Sequence, residues 1–126
     1  MNGGSISIPI SPGELIDKIA ILAIKSERMT EPGKLENVRA ERALLEASLA
    51  EAGAGSKELD DLTAELKRVN ETLWEIEDEI RLCEKAQDFG PRFIELARSV
   101  YRTNDRRADI KRQINELLGS RILEEK

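Results

Sequence analysis

Eight apolar residues set the terms on which this chain can fold. Leu59, Leu62, Leu66, Val69, Leu73, Ile76, Ile80 and Cys83 follow one another at steps of 3, 4, 3, 4, 3, 4 and 3. Both apolar positions of four consecutive heptads are therefore filled. A stripe of this period under-winds a helix to about 3.5 residues per turn and seats its side chains between those of a partner helix. The predicted helix runs from Lys57 to about Gln87. At ~1.5 Å per residue it is roughly 45 Å long, more than the ~30 Å across a small domain.

The partner follows directly in sequence. Asp88-Phe89-Gly90-Pro91 reads as a tight connection, and Pro91 is suited to the first position of a fourth helix reaching about Leu118, where Gly119 ends it. Two long helices joined by a short turn form an antiparallel hairpin. Their charges are opposite. Residues 57–88 hold five basic and eleven acidic side chains, residues 91–112 seven basic and three acidic. Such complementarity fixes antiparallel pairing more than it adds stability, because an exposed ion pair is worth only ~0–1 kcal/mol.

Upstream, Ser11-Pro12-Gly13-Glu14 reads as a capping box opening a first helix that runs to about Met29. Thr30-Glu31-Pro32-Gly33 breaks it, and a second helix runs from Pro32 to Ala52. Gly53-Ala54-Gly55-Ser56 is a loop with Gly53 past the helix end and Ser56 capping the next helix. Ile6-Ser7-Ile8-Pro9-Ile10 alternates, but Pro9 restricts it to a short edge strand or an extended arm. The first helix is apolar nearly all round. Leu15, Ile16, Ile19, Leu22, Ala23 and Met29 make one face, while Ile21 and Ile24 point the other way. It is expected to be the central helix of the bundle or half of a dimer interface. The expected fold is all-α: two antiparallel helical hairpins in a bundle, the second coiled-coil-like, with a short extended N-terminal arm. The division is a single domain over 1–126, with the arm at 1–10 and the hairpins at 12–52 and 57–118. A homodimer is expected.

Composition narrows the chemistry. With no His there is no imidazole base and no His-containing metal site, and with one Cys there is no zinc knuckle, iron–sulfur cluster or intrachain disulfide. No glycine-rich phosphate loop is present. No catalytic residue, metal or cofactor is expected. The longest apolar run, Ile19 to Ile24, is six residues, against about twenty for a membrane span. Residues 1–5 carry neither a basic region nor a long apolar one, so no signal peptide is read there and a cytoplasmic location is expected. The net charge of −5 argues against nucleic acid as a partner.

One place breaks the pattern. At 100° per residue, Phe93, Leu96, Val100, Ile114 and Leu118 share a sector of the fourth helix with Asn104, Arg107 and Lys111. Two turns are thus polar where the stripe should be apolar. Asn104, Arg107 and Lys111 are candidate ligand-binding residues for an anion such as a carboxylate or sugar phosphate. Alternatively, Arg107 pairs with Glu71 or Glu75, since counting back from the 88–91 turn sets residues near 72 opposite 107, and the pair fixes register. The acidic run Glu75, Glu77, Asp78 and Glu79 reads as a solvated, Arg-paired face. Cys83 reads as a buried thiol, and Trp74 packs at the bundle edge.

The segments Ser11–Ile19, Leu73–Asp78, Phe89–Phe93 and Ala97–Arg107 resemble an uncharacterised bacterial family of short helical proteins, and the resemblance extends over nearly the whole chain. It implies a domain of unknown function, standalone or appended to larger proteins, loosely associated with cell-envelope sugar genes. It supplies no activity and no site residues. Glu14–Ile19 with Arg28-Met29 is also similar to the opening of the first helix of the helical chorismate mutases. That resemblance implies a pericyclic rearrangement in which Arg28, Arg39, Arg107 and Lys111 would hold a dicarboxylate. The chain departs from the mutase pattern at Pro32-Gly33, which cuts short a helix that is long in those enzymes. The leading expectation is a non-catalytic helical interaction or assembly module with an unknown protein partner. The second is an anion- or sugar-phosphate-binding helical domain.

Overall fold

The computed structural model describes residues 4–53 and 55–120. Four helices follow in order: α1 (Pro12–Arg28), α2 (Pro32–Glu51), α3 (Lys57–Lys85) and α4 (Pro91–Leu117). The capping chemistry explains their limits. Ser11 Oγ accepts the Glu14 N–H at 3.2 Å and Ser56 Oγ accepts the Leu59 N–H at 3.1 Å, each satisfying a donor that the first turn leaves over. Pro12, Pro32 and Pro91 open α1, α2 and α4. Gly53 and Gly119 adopt φ of +69° and +65° just past α2 and α4, where a left-handed residue ends a helix without a Cβ penalty. Among the described residues there is no strand. Ser5 to Ser11 form neither strand nor turn, and Ile6 and Ile8 are exposed, so of the two sequence expectations the arm is the one observed.

α1 packs against each of the other three helices, while α2 lies chiefly along α1, with Leu49 reaching the core. This is the physical reason for α1's near-continuous apolar surface. Gly13, Ile16, Asp17, Ala20, Leu22, Ala23 and Ile24 are all buried, at positions that wind around the helix. The core joins Ile16 of α1 to Leu59, Leu66 and Val69 of α3 and Ile110 and Ile114 of α4. α3 and α4 run antiparallel. Arg92 reaches Glu79 and Arg106 reaches Glu65 at 3.1 Å, so the partners ascend one helix as they descend the other.

Two expectations need correction. The register sets Arg106 against Glu65, about two turns closer to the start of α3 than counting from the 88–91 turn suggested. The heptad stripe is also not uniformly buried. Leu59, Leu66, Val69 and Leu73 are buried, but Ile76, Ile80 and Cys83 are only half-buried. α1 ends with Arg28 beside Glu71 and Glu75, so the last third of α3 has α4 on one side and no α1 behind it. Cys83 is therefore not a core thiol.

Candidate functional site

Of the three polar residues of α4, Arg107 and Lys111 face α1, while Asn104 is exposed beside Arg107. Arg107 Nε donates to Asp17 Oδ1 at 2.9 Å, and Arg107 Nη2 contacts Asp17 Oδ2, a bidentate guanidinium–carboxylate pair. Asp17 is 1% exposed, and Asn70 Nδ2 of α3 donates to its Oδ1 at 2.9 Å. One turn further along α4, Lys111 Nζ donates to Glu14 Oε2 at 2.7 Å and stands 4.0 Å from Asp17 Oδ2. Asn104 Oδ1 is 3.5 Å from Arg107 Nη1. A last turn on, Asn115 Oδ1 accepts the Gly13 N–H at 2.7 Å, satisfying another first-turn donor of α1 from outside the helix. Gly13, Glu14 and Asp17 thus meet Asn115, Lys111 and Arg107 in reverse order.

The local sequence makes this approach possible. A Cβ on Gly13 would lie 2.6 Å from the Lys111 carbonyl oxygen and 2.9 Å from Asn115 Oδ1. The glycine of Ser11-Pro12-Gly13-Glu14 is therefore where the α1 backbone meets α4. Glu14, which the capping pattern assigns to the helix start, directs its carboxylate to Lys111 and Lys18. The charges of Glu14, Asp17, Arg107 and Lys111 cancel.

Arg107 is held by Asp17 and not by Glu71 or Glu75, which lie by Arg28 at 3.9 Å and 3.5 Å. The wrong partner was named because the count considered only α3, whereas α1 crosses the same face of α4. Asp17, Asn70 and Asn115 were missed as well. The available signal was Asp17 itself, an acidic residue inside a helix apolar on nearly every side. The four cations of the mutase resemblance are spread out. Arg28 stacks over Trp74 at 5.9 Å, Arg39 is exposed on α2, and the eleven steps from Asp17 to Arg28 span ~16 Å of α1. Trp74 is half-buried at the edge of the bundle, as the sequence suggested.

The sequence signature of a family of unknown function, DUF6165, matches residues 6–126. The chain belongs to this family. No curated protein and no solved structure matches it. The DUF6165 match takes in all the residues of the α1–α4 cluster. A separate groove of about 550 Å³ runs between α2 and α3, with Ala20 and Ala23 on its floor and none of Asn104, Arg107 or Lys111 in its walls. At its rim Lys67 pairs with Glu27 and Arg42 donates to Ser26 Oγ at 3.2 Å. Among the described residues no group of three or more Asp, Glu or Cys is placed to hold a metal, and no helix is long and apolar enough to cross a membrane.

Proposed function

We propose that this chain is a non-catalytic assembly module that works as a homodimer in a bacterial cytoplasm. The observation that carries the reading is the Asp17–Arg107 pair with its neighbour Glu14–Lys111. The cations that would have to receive an anionic ligand already meet carboxylates from their own chain. An incoming phosphate would have to displace a buried carboxylate, and the displaced charge would then be left without its partner at a cost of several kcal/mol. The cluster acts as a latch between α1 and α4. Ile94 and Tyr101, seven residues apart on α4, both stand exposed and share one side of that helix, an apolar pair open to a second chain.

A thermal-shift series tests the latch. Arg107→Leu is expected to lower the melting temperature, and phosphate or a dicarboxylate is expected to leave wild type and mutant unmoved. A melting temperature that rises on mutation, with a phosphate response present only in wild type, would replace this reading with an anion-binding domain, because a ligand that binds only the folded state raises its stability by mass action.

A further inference from the structure

The α1-facing lines of the α3–α4 hairpin continue past the end of α1. On α3, Asn70 bonds Asp17 of α1, and heptad spacing carries that line to Glu77 and Glu84. Lys67 and Trp74, which meet Glu27 and Arg28, continue to Arg81 in the same way. On α4, Lys111 meets Glu14, and steps of seven lead back through Asn104 to Ala97. Ile94 and Tyr101 flank Ala97 at three and four residues. Ile94 is 52% and Tyr101 56% exposed. From Glu75 to Lys85 the hairpin runs on for ~15 Å past its contacts with α1. Over that length the inward stripe of Ile76, Ile80, Cys83 and Phe93 is only half-buried. The face is complete in one half of the hairpin and uncovered in the other.

Building on the homodimer reading, we infer that a second copy of this chain covers this face with its own hairpin. The argument for a second copy is charge. Residues 75–88 carry six acidic and two basic side chains, residues 91–102 three basic and one acidic. Most of these charges are already matched within the chain, Arg81 with Glu77 and Asp78, Arg92 with Glu79 and Arg102 with Glu95, which leaves Glu84 on the α3 edge of the face and Arg98 on its α4 edge, with Ile94, Ala97 and Tyr101 between. A two-fold axis along the hairpin lays the acidic edge of each copy over the basic edge of the other, and most homo-oligomers are two-fold. Glu84 and Arg98, one on each edge, make no salt bridge within the chain among the described residues, so both are open to a partner. α1 occupies the same face lower down, so the two bodies splay apart from a shared stem.

The test combines light scattering with cross-linking of the full chain. Wild type is expected at twice 14.1 kDa. Ile94→Glu/Tyr101→Glu is expected at the single mass with unchanged helical circular dichroism, since both positions are exposed, and Ile6→Ser/Ile8→Ser is expected to stay dimeric. In a Cys83→Ser background, Glu84→Cys chains mixed with Arg98→Cys chains are expected to form a covalent dimer on mild oxidation, well above the yield with Leu44→Cys chains as the second component. A monomeric wild type would overturn the homodimer reading and this inference together. A dimer that survives Ile94→Glu/Tyr101→Glu and gives no 84–98 cross-link, or that falls apart on changing the arm, would overturn this inference alone.

Discussion

Gly13 shows how much one missing methyl group can decide. Gly13→Ala would set a Cβ 2.6 Å from a backbone oxygen of α4, and backbone cannot swing aside as a side-chain tip can. The substitution is expected to destabilise by about 1–3 kcal/mol, as overpacking does, although alanine is otherwise the better helix former. Urea unfolding reads this directly, and an unchanged midpoint would mean that the α1–α4 approach is looser than described. The latch should also be asymmetric. Asp17 is 1% exposed while the Arg107 side chain keeps 28% of its surface. Arg107→Leu leaves a buried carboxylate and is expected to cost about 3 kcal/mol, the low end for a broken buried pair, because Lys111 and Asn70 remain near it. Asp17→Leu leaves a guanidinium that can turn to water and is expected to cost about 1–2 kcal/mol. The double substitution should recover part of the Arg107→Leu loss. Equal single costs would contradict the burial difference. At this scale the capping serines, the opening prolines and the polar break in α4 were legible, since each is a local pattern. The partner of Arg107 was not, because helical period says which side a residue faces and nothing about which helix crosses there.

Among the elements, α3 has two halves that the sequence writes alike. Its heptads are equally apolar from Leu59 to Cys83, yet only the first part is buried by both α1 and α4. Leu73, 7% exposed, stands at the end of that part, and Leu73→Ala is expected to cost about 2–5 kcal/mol. Cys83→Ala removes less volume from a half-buried site and is expected to cost under 1 kcal/mol. The comparison is of urea midpoints, and a Cys83→Ala penalty as large as that of Leu73→Ala would place a second layer over the hairpin end. A repeat of 3.5 records that a stripe wants a partner and is silent on how many partners arrive. α2 makes the same point from the other direction. Its limits were read from Pro32 and Gly53, but its single buried residue, Val38, was not foreseeable from a sequence rich in Ala and Leu all along its length.

For the molecule as a whole, α1 is tied to the hairpin by charges at both ends. At the C-terminal end, the hydrogen bond from Lys67 holds the Glu27 carboxyl below its ordinary value against the opposing effect of desolvation, with the nearby charges of Lys67, Arg28 and Arg42 acting in the same direction as the hydrogen bond. The stabilising contribution of such a group is complete above the ordinary carboxylate value. It is lost as pH falls, first as the unfolded chain takes up its proton and then through the lowered folded value. Lys67→Met is therefore expected to flatten the decline of stability between neutral and acidic pH, measured as the urea midpoint at each pH. An identical slope would show the pair to be too solvated to matter. The all-helical bundle was legible because four capped, periodic segments leave few alternatives, whereas α1's apolar surface allowed either the centre of the bundle or a dimer interface, and the structure sets it against the other three helices. At the other end of α1, the Gly13 to Asn115 hydrogen bond joins positions 102 residues apart. The chain enters its first helix and leaves its last at the same pole. Force applied through the segments on either side of the body would load that hydrogen bond first, then Glu14–Lys111 with the packing of Ile16 on Ile110 and Ile114, then Asp17–Arg107. Pulled by its ends, the bundle opens like a zip, one turn at a time, and never has to break its core in a single step.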